Sequence, residues 1–361
     1  MQAYYDCRRS KRNSKSALAF EFNLERNIMQ LHHELNTGAY QPGAYQPGAS
    51  ICFVVTHPKH REVWAADFRD RIVHHLLYNH IGPRIERSFI VDSCACIKGR
   101  GTLYGAQRLE KKVRSITRNW KRRAFYLKCD LANFFISLDK RVLEQQLVAR
   151  IPEPTWQALA LQILWHDPRT NYETRSPTRL LNRVPQHKRL TAQPAYLGLP
   201  IGNLSSQFFA NVHLDALDQF VKHQLRVKHY IRYVDDFVLL SESPQQLNAW
   251  HNQIEAFLAD TLHARLNPAK TVLQPIARGI DFVGQVILPH RRVTRPRTVE
   301  TALRRVSTAP AEQLHATANS YFGLLGQASH SHNDLRQLAR MVQRRGRTVS
   351  ANLRKTFKGA K

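Results

Sequence analysis

The segment Tyr233-Val234-Asp235-Asp236 sets two adjacent carboxylates between the apolar runs HYIRY and FVLLS. Over residues 229–241 this spacing predicts two short strands meeting at an acidic turn. Neighbouring carboxylates repel, and a partly buried one is costly unless it is paired or bound to a cation. A hard divalent cation resolves that conflict, because Mg²⁺ takes oxygen ligands and keeps waters and substrate phosphates around it. An isolated Asp-Asp pair is more often a solvated turn. A third carboxylate alters the reading: Asp130 closes a second apolar strand, AFYLKCDL at 124–131, and Phe134 and Phe135 follow it. Three carboxylates from neighbouring strands can hold two cations. Such a pair activates an attacking oxygen and stabilises a leaving one in an in-line displacement, the chemistry of nucleotidyl transfer.

The surrounding sequence predicts the elements that must place these groups. Within AFYLKCDL, Phe125, Leu127 and Cys129 face one way and Tyr126, Lys128 and Asp130 the other. Strands are expected at 51–56, 263–274 and 280–288. Helices are expected at 62–81, ended by Gly82-Pro83, and at 139–150, 153–166, 205–228 and 244–260. A strongly basic helix is read in RLEKKVRSITRNWKRR, facing phosphate. Residues 1–37 read as a basic start followed by helix. The tandem repeat GAYQPGAYQPG at 38–48 reads as a turn-rich connector with no assignable role. Residues 167–196 are polar, Pro-rich and aperiodic, and read as an inserted loop. The tail from about 298 is helical and basic without a strong core signal; residues 335–361 hold nine Lys and Arg and no acid.

The 361-residue chain carries 54 Lys+Arg against 27 Asp+Glu, a formal net charge of +27. That excess points to a polyanionic partner, nucleic acid above all, because each neutralised phosphate releases a counterion. A membrane-surface binder would concentrate its bases on one amphipathic segment; these are spread along the chain. No signal-like or spanning apolar run is present, so a cytoplasmic protein without a membrane partner is expected. The five cysteines form no CxxC and read as reduced thiols. The 18 histidines show no HExxH spacing. His74-His75 and His32-His33 read as ordinary helix residues.

The blocks FYLKCDLANFF, GLPIGNLSSQFFAN, YVDDFVLL, LNPAKT and GIDFVGQVI occur in the order of the reverse transcriptase palm motifs. Upstream, PKHREVWAADFRDRIVHHLL and FIVDSCACIKGRGTLYGAQ look like the fingers motifs of that family. The resemblance covers roughly 50–290. It is strongest to bacterial reverse transcriptases of the diversity-generating retroelement type and their unclassified or defence-associated relatives, through IGNLSSQ at 201–207. It implies an α+β right-hand polymerase fold with fingers, a ferredoxin-like palm and a helical thumb. The expected division is 1–50 N-terminal helical extension and linker, 51–123 fingers, 124–290 palm with its insert, and 291–361 basic thumb and tail.

The same resemblance implies roles. Asp130 and Asp235 ligate two Mg²⁺ ions (Mn²⁺ the alternative), with Asp236 close behind and the Leu131 carbonyl completing one site. Phe135 packs beneath the incoming sugar and excludes a 2′-OH. Lys98 and Arg100, flanked by Gly99 and Gly101, meet the triphosphate, since glycine lets backbone approach closely. Gly202 and Gln207 line the incoming base pair. Lys270 protonates the leaving pyrophosphate, and Tyr233 packs under the primer end. Arg69 and Arg71 stay unassigned between template backbone and Asp70. The activity implied is RNA-directed DNA polymerisation: a dedicated template RNA or structured non-coding RNA is copied from dNTPs into cDNA. The setting is a diversity-generating retroelement, with errors at adenines and a small basic accessory protein or a second reverse transcriptase as partner; the alternative is antiphage defence. A dead scaffold would have lost a carboxylate, and Phe135 opposes an RNA polymerase. A ribonuclease H or integrase domain is not expected after residue 290.

Overall fold

A computed structural model describes residues 1–9, 14–37, 44–57 and 59–357. Three N-terminal helices come first: α1 (Gln2–Arg8), α2 (Lys15–Phe22) and α3 (Leu24–Asn36). Residues 38–43, the first copy of the tandem repeat, lie outside the described residues. The second copy is a strap. Tyr45 is buried, its hydroxyl donates to Asp70 Oδ1 at 2.8 Å, and the Gly48 N–H donates to Asp70 Oδ2 at 2.9 Å. Gln162 Nε2 donates to the Tyr45 carbonyl at 2.7 Å. The repeat thus ties the N-terminal helices to the core through a carboxylate that would otherwise be buried without donors.

β1 (Ser50–Val55) and β2 (Arg61–Ala65) pair antiparallel, with Cys52 opposite Trp64. The helix expected over 62–81 therefore begins later. α4 spans Phe68–Glu86, with the Asp67 carboxylate accepting from the Arg69 N–H at its start. The Val63-Trp64-Ala65 run is extended because Trp64 is buried against the β1 side of the sheet. Gly82-Pro83 does not end α4 either. The helix continues because Ile81 and Ile85 are both buried in the main core, and that burial outweighs the single backbone donor proline removes.

α5 (Thr102–Ile116) is shorter than the basic run, since Arg118, Asn119 and Trp120 all take positive φ and unwind it. Nor are its bases all free for phosphate: Arg108 and Lys112 both pair with Asp92, and Arg114 with Glu110. β3 (Phe125–Asp130), α6 (Phe134–Ser137), α7 (Lys140–Arg150) and α8 (Pro154–Trp165) follow. The 167–196 segment is built in rather than looped out. Its β4 (Tyr172–Thr174) pairs parallel with β1, and α9 (Thr178–Leu181) packs beneath. The buried Glu62 accepts from the Leu190 N–H at 2.9 Å, which fastens the insert to β2.

α10 (Leu204–Gln219) runs through the core and is buried along most of its length. β5 (Tyr230–Tyr233), β6 (Asp236–Ser241), α11 (Pro244–Leu262) and β7 (Val272–Pro275) complete an antiparallel sheet of order β5-β6-β3-β7. Numbering its strands one to four gives 2-3-1-4, the ferredoxin-like order, with α10 and α11 on one face. Leu127, Leu239 and Phe237 bury one face against α10 and α11, while Tyr126, Val238 and Ile231 belong to a second core against α5. β8 (Ile280–Phe282), β9 (Gln285–Leu288) and β10 (Arg291–Thr294) form a separate antiparallel sheet; β10 was not foreseen.

α12 (Pro296–Thr308), α13 (Ala311–Leu325) and α14 (His332–Arg344) make a three-helix bundle. Contrary to the sequence reading, it has a core of its own, with Val306, Leu314, Phe322, Leu338 and Val342 buried together. The signal is hidden because these residues form a narrow stripe, set among arginines on α12 and α14 and among small polar residues on α13. Among the described residues no helix is long and apolar enough to cross a membrane, and no cysteine is in a disulfide.

Candidate active site

The three expected carboxylates come together where β3 ends and the β5–β6 hairpin turns. Asp130 is directly opposite Asp236 in the β3–β6 register, and Tyr233 is opposite Asp236 across the hairpin. Directly opposed antiparallel residues have Cα atoms roughly 4.5–5.5 Å apart. The turn is Val234-Asp235, with Val234 in the left-handed region at φ 55°. The ends are clasped by backbone: the Leu131 N–H donates to the Asp235 carbonyl at 3.1 Å, and the Asn267 N–H to the Asp130 carbonyl at 2.8 Å.

Two lysines answer the concentrated negative charge. Lys270 Nζ is 2.5 Å from Asp130 Oδ1, and Lys128 Nζ is 3.2 Å from Asp236 Oδ2. Burial pushes the Asp236 carboxyl up to about 6; Lys128 opposes that rise, while Asp130 and Asp235 add to it. Asp235 is also raised, first by burial and then by Asp130. Asp236 Oδ1 is buried with no hydrogen-bond partner. Among the described residues, no three His, Cys, Asp or Glu side chains are gathered as a ready metal cage. With Lys270 and Lys128 bonded to them, Asp130 and Asp236 are each turned to a lysine instead. The donor set nonetheless fits a hard divalent cation: every candidate ligand is an oxygen, the carboxylates stand in mutual electrostatic range, and one buried carboxylate oxygen lacks a partner.

Asp130 and Asp235 line a cleft that Lys59, Arg61, Lys188 and Lys270 also line; with Glu62 at its wall, four cations meet three carboxylates there. Phe135 and Trp64 give it apolar walls. Lys59 and Arg61 come from the entry to β2, and Lys188 from the insert. None of these three was singled out from sequence. The signal for the first two was present in PKHREV, two cations two residues apart leading into a strand. Lys188 had no signal, because only the docking of the insert on Glu62 brings it to the cleft.

The other expected residues fall as follows. Phe134 is buried in the core, whereas Phe135 is partly exposed to the cleft. Leu131 is buried beside Asp235, and Tyr233 is half-buried against the second core. Gly202, at φ 127°, lies against β2, where a Cβ would strike Val63 and approach the Trp64 carbonyl. The Trp64 N–H donates to the Ile201 carbonyl, and Asn203 bonds the backbone at both Trp64 and Ala66. This fixes the segment to the β1–β2 sheet. Gln207 is exposed on α10 and does not line the cleft.

Lys98 and Arg100 do not line it either. Lys98 is exposed, and the Arg100 guanidinium is turned inward, donating to the Ile90 and Ser93 carbonyls at 2.9 Å each. Gly99, at φ 80°, folds the chain tightly enough to bring Arg100 back onto its own loop. Arg69 pairs with Glu34 and Arg71 donates to the Ala66 carbonyl, so neither pairs with Asp70.

The family whose model is described as "Reverse transcriptase (RNA-dependent DNA polymerase)" matches residues 57–287. No curated relative matches the chain. Among solved structures, an apo telomerase from Candida tropicalis is 12% identical over 89% of this chain and 61% of its own, with a TM-score of 0.50. A telomerase from Candida albicans in complex with a TWJ fragment of telomeric RNA is 16% identical over 82% of this chain and 54% of its own, with a TM-score of 0.48. The chain thus spans a little over half the length of the telomerases it resembles. At such identity the likeness to the first concerns the fold alone: the α+β right-hand polymerase architecture.

Proposed function

Because the chain belongs to the reverse transcriptase (RNA-dependent DNA polymerase) family, we propose that it copies an RNA template into DNA at the cleft lined by Asp130 and Asp235. The observation that carries this reading is the pairing of Asp130 with Asp236 on adjacent strands, beneath a cleft that four cations line. A carboxylate cluster under a cationic wall suits a substrate that brings both a divalent metal and a triphosphate. A pair of Mg²⁺ ions, with Mn²⁺ as the alternative, would supply activation of the attacking hydroxyl and charge neutralisation on the leaving group.

The chain's own residues do the rest. Asp130 and Asp235 would hold the cations, Asp236 would support them from behind, and the Leu131 carbonyl would add an oxygen ligand. Lys59, Arg61 and Lys188 take the triphosphate, a role that the inward turn of Arg100 leaves to them. Lys98, exposed beyond this cleft, keeps contact with nucleic acid backbone. Phe135, which lines the cleft, would exclude a 2′-OH from the incoming sugar. Tyr233 supports the primer end. Gln207 acts through the template side of the base pair rather than from within the cleft. Lys270, which pairs with Asp130, would give its proton to the pyrophosphate.

For the biological setting we propose a diversity-generating retroelement, on the IGNLSSQ segment at 201–207. The template RNA and a small basic accessory protein are the expected partners, and the protein works in the cytoplasm. The alternative, a defence enzyme that copies a structured non-coding RNA, uses the same palm. A variable repeat and target gene beside this one support the first; a lone gene with a non-coding RNA supports the second.

The test of the activity is primer extension on an RNA template with dNTPs. Asp235→Asn is expected to abolish extension while RNA binding, measured by filter retention, survives. A variant that keeps polymerising removes the carboxylates from the chemistry.

A further inference from the structure

One charged side chain next to the carboxylate turn is sealed from water, and the roles above leave it unused. Arg232 is fully buried, as is its partner Asp218 on α10. A buried ion pair is weak evidence of stabilisation, because apolar side chains of similar volume often serve as well. Its value must lie in geometry. A guanidinium has five N–H donors in a rigid fork, and all five are used. Nε and Nη2 donate to the two Asp218 oxygens at 2.8 and 2.6 Å. Nη2 donates to Ser93 Oγ at 3.0 Å, and Nη1 to Asn211 Oδ1 at 3.3 Å. The last bond runs from Nη1 to the Val234 carbonyl at 3.0 Å.

That last contact reaches the turn itself. Val234 is β-branched yet sits at φ 55°, a region such residues avoid. A conformation of this kind persists only where its surroundings over-determine it. Arg232 fixes the carbonyl on the Asp235 side of that residue. Its backbone is fixed too: the Arg232 N–H donates to the Asp92 carbonyl and its own carbonyl accepts from Cys94 N–H. Asn211, which meets the guanidinium, also donates to the Ala95 carbonyl at 2.8 Å.

We propose that Arg232 is the positioning residue of the carboxylate turn, locking Val234 in its left-handed form and coupling Asp235 to α10 and to the 92–95 segment. The inference rests on the polymerase reading of the site. Arg232→Lys keeps a charge for Asp218 but has too few donors and too short a reach to hold the turn as well. Its kcat for single-nucleotide extension is expected to fall roughly 10- to 100-fold, with KM for dNTP within about threefold, as for partners that orient ligating groups. Deuterium uptake across 230–240 is expected to rise. Glycine takes positive φ freely, so Arg232→Lys/Val234→Gly should regain most of the lost kcat and the slow uptake. Ser93→Ala removes one orienting bond without threatening the fold, and should show a smaller change in the same direction.

Wild-type kcat in Arg232→Lys overturns the proposal. So does a double variant no better than Arg232→Lys. If Arg232→Lys does not fold, Ser93→Ala with unchanged kcat and unchanged uptake overturns it instead. A wild-type protein that cannot extend a primer on RNA refutes the polymerase reading; deuterium uptake of the two Arg232 variants then still decides whether Arg232 holds the turn.

Discussion

Lys270 Nζ lies 2.5 Å from Asp130 Oδ1, an ion pair that closes 140 residues of chain across the floor of the cleft. The same cation that masks the carboxylate also lines the cleft. Lys270 is exposed and Asp130 is not, so the pair opens towards the cleft rather than into the core.

Loss of that lysine tests both roles. Lys270→Met is expected to lower kcat by at least about 100-fold, the usual scale for a lost general acid, with little change in thermal stability because the pair is half-exposed. Single-turnover extension of a primer on an RNA template measures the loss. A variant with normal kcat restricts Lys270 to its ion pair with Asp130.

Phe135 tests sugar selection. It is the partly exposed member of the Phe134–Phe135 pair and lines the cleft beside Asp130. Phe135→Ala should lower the preference for dNTP over rNTP by at least about tenfold, because steric exclusion of a hydroxyl disappears with the ring. Competitive extension with the two nucleotide classes measures it. Unchanged selectivity removes Phe135 from this role.

Two buried histidines set a pH dependence of stability. Burial lowers His74 to about 3 and His213 to about 4, both from an ordinary 6.5. The folded chain therefore keeps them neutral while the unfolded chain protonates them below pH 6.5. Stability is full above that value and is lost as pH falls towards the folded values. Each histidine should cost about 2 kcal/mol between pH 7 and pH 5. Urea midpoints at the two pH values measure the loss, and His74→Gln should remove about half of it. Equal midpoints at pH 5 and pH 7 contradict the burial argument.

Legibility differed from place to place for physical reasons. The strand AFYLKCDL, the hairpin at 229–241 and α11 were readable because each buries one face, and its period is written in the apolar residues themselves. Val63-Trp64-Ala65 was not, since four or five apolar residues fit a strand or a helix equally and only pairing with β1 decides. The repeat's Tyr45 could not be given a role because its partner, Asp70, lies 25 residues on and is chosen by packing.

The sequence by itself determined which groups could do chemistry: three carboxylates, their order along the chain, and a cationic surface for a polyanion. These follow from residue type and local period, which are properties of short stretches. Only the tertiary structure decided which cations meet those carboxylates. Lys59, Arg61 and Lys188 reach the cleft and Arg100 turns away, because docking of the insert on Glu62 and the tight turn at Gly99 set the direction of side chains from distant segments. Direction across long loops is fixed by packing and hydrogen-bond closure, and neither is written in local spacing.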